Sequence, residues 1–352
     1  MKAAVWHGRK DVRVEDFPEP PAPGAREVKI KVHWCGICGS DLHEYDAGPI
    51  FIPVTAPHPL TGVQAPLVLG HEFAGEVVEV GNEVQGWKVG DRVAPDACQY
   101  CGTCAMCRQN RYSICEKLAF TGLMANGAFA EYVNVPAYTL YALPPEMPSD
   151  VGAFVEPVAV GVHAVRRGKV LVGDTVAIVG AGTIGQVTLQ AAKAAGASKV
   201  FVVEKAKARK DYAKNLGATA VIDPGETDPV AEVHRLTDGL GVDVAFECVG
   251  GHQTGALTID LVRTGGRAVL VGIFERPSEV NFNNLVFYEK EVLGSLAYYG
   301  DFKTAIALMA DGRIVAEPMI TGRIKLDDIV EKGFKELLAN REKHIKILVA
   351  LE

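Results

Sequence analysis

Residues 34–45, WCGICGSDLHEY, place two cysteines, a serine, an aspartate and a histidine within one short stretch. Cys35 and Cys38 have the C-x-x-C spacing of a redox dithiol. Cys38 taken with Ser40, Asp41 and His43 suits a metal centre instead, with a thiolate ligand and groups able to move protons beside it. A second cluster, CQYCGTCAMCRQNRYSIC over residues 98–115, holds five of the eight cysteines. It offers two sets of four. Cys101, Cys104, Cys107 and Cys115 follow C-x2-C-x2-C-x7-C, whereas Cys98, Cys101, Cys104 and Cys107 repeat C-x2-C throughout. Four thiolates so spaced can enclose a tetrahedral Zn²⁺ and fix a loop with little core of its own. An iron–sulfur cluster is the competing occupant. Either set could hold a structural zinc.

A third motif, GAGTIG, sets Gly180, Gly182 and Gly185 in G-x-G-x-x-G spacing, with Thr183 and Ile184 between them. Glycines mark many turns, so the motif means little alone. Here it lies between an apolar strand and an Ala-rich helix, where a dinucleotide site needs it. Gly180 permits the turn, Gly182 lets backbone approach the pyrophosphate, and Gly185 lets helix and strand pack closely. Glu204 ends the next strand, where an acid accepts hydrogen bonds from the adenosine ribose and repels a 2′-phosphate. NAD is therefore expected over NADP. Lys205 and Arg209 nearby are the cations that could accommodate a phosphate.

These groups need elements to position them. The first 150 residues read as β-rich, as in EVKIKVHW and EFAGEVVEVG, with Gly, Pro and Asn/Asp between segments. Near Val151 the texture changes. TVAIVGAGTIGQVTLQAAKAAGASKVFVVEK reads as strand, glycine turn, helix, strand, a βαβ unit that implies a buried parallel sheet. Further strands are expected at AVIDP, DVAFECVG and RAVLVGIF, and from about Leu296 the pattern becomes mixed again. The layout is a β-rich domain interrupted by a nucleotide-type α/β domain, with the C-terminal tail rejoining the first.

Composition narrows the partners. The chain has 352 residues, 48% hydrophobic and 22% charged, which suits two globular cores. A net charge of −7 without a long basic block argues against nucleic acid. No apolar run is long enough to span a bilayer, and the opening MKAAVWHGRKDVRVEDF lacks the apolar core of a signal peptide. A cytoplasmic, reducing compartment is expected, where clustered cysteines favour metal or thiol chemistry over disulfides.

In order along the chain, GICGSDLH, GHEFAGEVVEVG, VGDRV, the cysteine cluster, FVEPVAVGVHA and GAGTIG resemble the zinc-dependent medium-chain alcohol/polyol dehydrogenase family. The resemblance runs over essentially the full length. It implies an α/β fold with a β-rich GroES-like catalytic domain over residues 1–157 and 297–352, carrying a structural zinc lobe at about 98–115. A Rossmann domain, a doubly wound parallel sheet binding NAD, would occupy 158–296. Two zinc ions per chain are implied, one catalytic and one structural. WCGICGSDLHEY, GPIFIP and HPLTG with APLVLGHEF resemble the bacterial (R,R)-2,3-butanediol dehydrogenase branch.

The family pattern makes Cys38, His71 and Glu156 the catalytic zinc ligands. Alcohol dehydrogenases of the family place a cysteine at the Glu156 position, and polyol and butanediol dehydrogenases a glutamate. Capping of the following helix is the plainer role for this acid. Glu72 could coordinate in turn or support the ligands. Ser40 would take the substrate proton and pass it through the nicotinamide ribose to His43, while Asp41 fixes the orientation of His71; helix capping is the plainer role for Ser40 and Asp41. Cys35 and Cys98 receive no role. The implied substrate is a small secondary alcohol or vicinal diol, (R,R)-2,3-butanediol interconverting with acetoin. Tyr45, Tyr298, Glu72 and Glu156 are candidates for holding the second hydroxyl. Sorbitol dehydrogenases carry Arg before the tyrosine matching Tyr298, and this chain has Ala297, which speaks against long polyols. Sorbitol-type or L-threonine 3-dehydrogenases are the alternatives within the family, and a thiol or iron–sulfur redox protein the alternative outside it. A homodimer or homotetramer is expected from the family.

Overall fold

A computed structural model describes residues 1–351. The chain divides into two compact units, Met1–Glu156 with the C-terminal segment from Ile320, and Pro157–Met319.

The first unit is built from β1 (Lys2–Gly8), β2 (Asp11–Asp16), β3 (Glu27–Gly36), β4 (Leu67–Val68), β5 (Glu72–Val80), β6 (Arg92–Pro95), β7 (Cys98–Gln99), β8 (Ala119–Phe120), β9 (Tyr132–Pro136) and β10 (Leu140–Ala142). Short helices α1 (Gly39–Asp46), α2 (Ala105–Arg108) and α3 (Ser149–Gly152) interrupt them. Alternation along β3 turns Val28, Ile30 and Val32 into a core shared with Val77, Val93, Phe129 and Val133. β3 pairs antiparallel with β5 in a register that sets Gly36 opposite Glu72 and Cys35 opposite Phe73. A Cβ at Gly36 would lie 2.3 Å from Glu72 Oε2, so the glycine makes room for that carboxylate. Beyond β3 the chain turns into α1. Cys38 is its N-cap residue, and Asp41 at the third helical position accepts the Cys38 N–H at 2.9 Å, which starts the helix there.

The second unit begins inside α4 (Val155–Arg167), after Glu156. It continues through β11 (Thr175–Val179), α5 (Thr183–Ala194), β12 (Lys199–Val203), α6 (Lys207–Asn215), β13 (Ala220–Ile222), α7 (Pro229–Leu236) and β14 (Val242–Glu247). α8 (Thr254–Leu261), β15 (Val262–Leu270), α9 (Phe282–Tyr288), β16 (Glu291–Gly294) and α10 (Phe302–Ala310) complete it. The strands form one parallel sheet in the order β13-β12-β11-β14-β15-β16. Counted from β11, this is the 3-2-1-4-5-6 order of a doubly wound dinucleotide fold. Continuous apolar runs such as TVAIV and KVFVV follow from burial of both sheet faces.

The chain then re-enters the first unit as β17 (Ile320–Lys325), α11 (Glu336–Ala339) and β18 (Lys346–Ala350). β18 pairs with both β3 and β17, so the last strand completes the sheet that carries the first cysteines. The return lies at Ile320, not at the expected residue 297. The intervening segment belongs to the second unit because Gln190 on α5 accepts the Val315 N–H at 2.8 Å and donates to Val315 O at 3.3 Å. Change of texture at 296 marked the end of the parallel sheet, not the end of the packing around it.

Candidate active site

In the first unit the ends of β3, α1 and β5 bring Cys38, His71 and Glu72 together, with one ligand atom of each within 4.8 Å of the others. His71 presents Nε2 toward this cluster, 3.2 Å from Ser40 Oγ. Its Nδ1 faces Asp41 Oδ1 at 3.6 Å, and both atoms are buried without a hydrogen-bond partner. Asp41 thus caps α1 with one carboxylate oxygen and turns the other toward the imidazole. Burial raises the Asp41 carboxyl to about 6. Burial pushes the His71 imidazole down, but Asp41, Cys38 and Glu156 outweigh it and hold the ring well above its ordinary value.

Glu156 stands outside that close cluster. It is 7% exposed in the first turn of α4 and acts electrostatically on His71, Lys346 and Cys98. Glu72, 1% exposed, is already paired: Lys346 Nζ donates to Glu72 Oε1 at 2.7 Å, to Oε2 at 2.6 Å and to Ile37 O at 2.9 Å. Burial disfavours the Lys346 ammonium, yet Glu72, Cys38 and Glu156 more than offset it and raise its pKa. Sequence reasoning did not find Lys346. The available signal was a lysine inside the otherwise apolar strand KILVA, a position that is buried only when charge-paired.

The donor set fits a divalent ion. A thiol, an imidazole nitrogen and a carboxylate converge, with Asp41 buried beside them, and soft–borderline N/S/O ligation is what Zn²⁺ takes. A metal on His71 Nε2 would leave Nδ1–H for Asp41, which answers the two orphaned atoms.

Cys35 is fully buried, and burial drives its thiol well above the ordinary value. Cys38 is partly exposed and both thiols are free. A fully buried thiol is closed to an exchange partner, which speaks against the dithiol reading. Tyr45 and Tyr298, expected as possible substrate contacts, are core residues. Tyr45 stacks on Phe334 with ring centroids 5.3 Å apart, and Tyr298 packs edge-on to Phe302 at 4.9 Å. His43 lies one helical turn beyond Ser40 on α1 and is partly exposed.

The cysteine lobe resolves the two sets of four. Cys101, Cys104, Cys107 and Cys115 have their sulfurs within 4.8 Å of one another, and Cys98 is not among them. The Cys101–Cys115, Cys104–Cys115 and Cys101–Cys107 separations are 3.5, 3.9 and 4.0 Å. Zn–S bonds of about 2.3 Å in a tetrahedron put sulfurs roughly 3.8 Å apart, so the lobe has room for one ion, not a multi-iron cluster. Backbone N–H groups of Cys104, Cys101 and Lys117 donate to Cys101 and Cys115 sulfurs at 3.3–3.4 Å. Hydrogen bonds from Thr103 bring Cys101 down to about 6, while burial pushes Cys107 up to about 12. Cys98 lies at the base of the lobe, its N–H donating to Asp96 Oδ1 at 2.7 Å. Tyr112 from within the lobe donates to Asp96 Oδ2 at 2.6 Å.

In the second unit the glycine turn joins β11 to α5. Gly180 has φ +93°, a conformation that favours glycine, and a Cβ at Gly185 would sit 1.9 Å from Gly180 O. Around a virtual Cβ at Gly182 the one neighbour is Arg209 Nη1 at 3.8 Å, so this side of the turn is open. The N-cap residue of α5 is Gly182, which has no side chain to cap the helix that begins at Thr183 and Ile184. Glu204, beyond β12, accepts Ala181 N–H on Oε2 at 2.8 Å and the N–H groups of Lys205 and Ala206 on Oε1 at 2.8 Å. Its carboxylate therefore braces the glycine turn, a role the sequence alone did not suggest. Oε2, with one of its two lone pairs used, keeps a second with which a ribose hydroxyl could pair.

Residues 24–145 match the alcohol dehydrogenase GroES-like domain family, and residues 183–311 match the zinc-binding dehydrogenase family. The chain is 45% identical to the (R,R)-butanediol dehydrogenase of Bacillus subtilis (strain 168), over 99% of each chain. Among solved structures, that of 2R,3R-butanediol dehydrogenase from Bacillus subtilis matches with TM-score 0.92 and 44% identity, covering 99% of both. A zinc-binding dehydrogenase from Sinorhizobium meliloti 1021 bound to NADP matches with TM-score 0.87 and 32% identity, over 99% of this chain and 98% of the other.

Proposed function

The chain belongs to the zinc-dependent alcohol dehydrogenase family, and on that premise we propose that it is an NAD-dependent enzyme interconverting (R,R)-2,3-butanediol and acetoin. The observation that carries the chemistry is the convergence of Cys38 and His71 with Glu72, a carboxylate already neutralised by Lys346, while buried Glu156 acts on His71 from outside that cluster. The substrate is supported by full-length likeness to a butanediol dehydrogenase and by Ala297 in place of arginine.

Cys38, His71 and Glu156 would hold the catalytic zinc, and Cys101, Cys104, Cys107 and Cys115 the structural one. Zinc supplies a Lewis acid that makes an alcohol easier to deprotonate, and the nicotinamide supplies the hydride acceptor. The protein's own groups handle the rest. Lys346 occupies both oxygens of Glu72, which sets that carboxylate in a supporting role and assigns the metal's carboxylate position to Glu156. Asp41 holds the His71 ring so that Nε2 faces the site. Ser40 Oγ accepts the substrate proton, and His43, three residues on and on the same helix face, carries it toward water. In the second unit Gly180, Gly182, Thr183, Ile184 and Gly185 receive the pyrophosphate. Glu204 selects a free ribose 2′-hydroxyl and Arg209 flanks the turn.

No helix among the described residues is long and apolar enough to cross a membrane. We place the enzyme in the cytoplasm as a homodimer or homotetramer. Eight free cysteines support the compartment. The assembly is supported by β16, which ends the sheet order, and by Phe282 and Phe287 on the neighbouring α9, 72% and 74% exposed. The test of function is a steady-state panel of NAD⁺ and NADP⁺ against butanediol stereoisomers, sorbitol, threonine and ethanol. The highest kcat/KM is expected for (R,R)-butanediol with NAD⁺. Equal turnover of sorbitol and butanediol would remove the substrate assignment.

A further inference from the structure

The turn that leaves β16 is fastened at both ends to one face of α4. His163, Arg166 and Arg167 stand at i, i+3 and i+4, positions that share a helix face. At the start of the turn, Arg167 Nε donates to Gly294 O, the last carbonyl of β16, at 3.2 Å. At its end, His163 Nδ1 donates to Asp301 Oδ2 at 2.9 Å and Arg166 pairs with Asp301 Oδ1. Arg166 also donates to Thr304 Oγ1 at 2.7 Å, at the head of α10. Asp301 Oδ2 accepts the Tyr299 N–H at 3.0 Å, which closes the turn on itself, and the His163 ring meets Tyr299 edge-on at 4.7 Å. His163 is 4% exposed and Asp301 1%. Between these anchors Ala297 has φ +47°. An alanine in the left-handed region is strained and persists only where its surroundings over-determine it. The anchors on α4 do so.

The place of the turn indicates what the strain serves. Ligands of open parallel α/β sheets lie beyond the C-terminal ends of the strands, and residues 295–300 leave such an end. Glu204, beyond β12, marks the adenosine side of the glycine turn. A dinucleotide crossing β11 from that side continues over β14, β15 and β16. We propose that His163 and Asp301, with Arg166 and Arg167, are positioning residues that set the 295–300 turn against the nicotinamide half of the cofactor. This rests on the dehydrogenase reading above.

The test compares NADH with ADP-ribose, which keeps the adenosine, the pyrophosphate and a ribose but lacks nicotinamide. Binding of both is measured by calorimetry on the full-length parent, Asp301→Asn and His163→Phe, with folding followed by circular dichroism. Losing a hydrogen bond to a charged group is expected to weaken NADH about tenfold in either variant, with ADP-ribose unchanged within about twofold. His163→Phe keeps a ring against Tyr299 and leaves Asp301 its other partners, so it reports even if Asp301→Asn does not fold. Unchanged NADH binding in a folded variant overturns the inference. So does equal weakening of both ligands, which is what general loosening of the unit gives. A parent protein that binds neither ligand overturns the dehydrogenase reading, and this inference with it.

Discussion

Glu72 and Glu156 are both buried, but Glu72 lies in the close cluster and is paired with Lys346, whereas Glu156 lies outside that cluster. That asymmetry makes opposite predictions for the two amides. Glu156→Gln should lose the catalytic-site metal and lower kcat by roughly 10²-fold or more, with little change in melting temperature. Glu72→Gln should keep the metal but leave Lys346 buried without its partner, a change that costs about 3–5 kcal/mol. Metal analysis and thermal unfolding of both variants check this; a Glu72→Gln protein that sheds metal while Glu156→Gln retains it reverses the ligand assignment. Cys38, Ser40, Asp41, His43 and His71 stand out in the sequence as candidates because they sit in short motifs. Lys346 could not. It lies 274 residues from Glu72 and reaches it only because β18 inserts beside β3, a pairing no local pattern encodes.

At the scale of elements, the cysteine lobe and the glycine turn were the most legible parts, since each is a local loop whose ligand dictates its own spacing. What spacing left open was which four sulfurs close together, and folding of α2 and the following turn settles it against Cys98. The same blindness moved the unit boundary. Residues 297–319 are held by α5 through Gln190, a contact invisible in local texture. Asp96 ties the lobe to the strand below it through Tyr112 and Cys98. Cys107→Ser is therefore expected to remove one metal equivalent per chain and lower the melting temperature by roughly 5–10 °C. The metal at Cys38 should remain. Loss of both metals together would show that the lobe and the catalytic site fold as one.

For the whole molecule, the proposed assembly would cover the edge of β16 and the exposed phenylalanines of α9 with a second copy. Val292→Lys on the edge strand should shift the mass measured by light scattering from a multimer toward a single chain; a parent protein that is already a single chain contradicts the assembly. On the proposed mechanism the reaction depends on one ion in the first unit. The most direct measurement strips the protein with a chelator, then follows butanediol oxidation with NAD⁺ while zinc is returned and counted. Activity should be nearly absent in stripped protein and rise in proportion to zinc bound at Cys38 and His71. Stripped protein that oxidises the diol at the full rate, with no metal at those residues, would contradict the account.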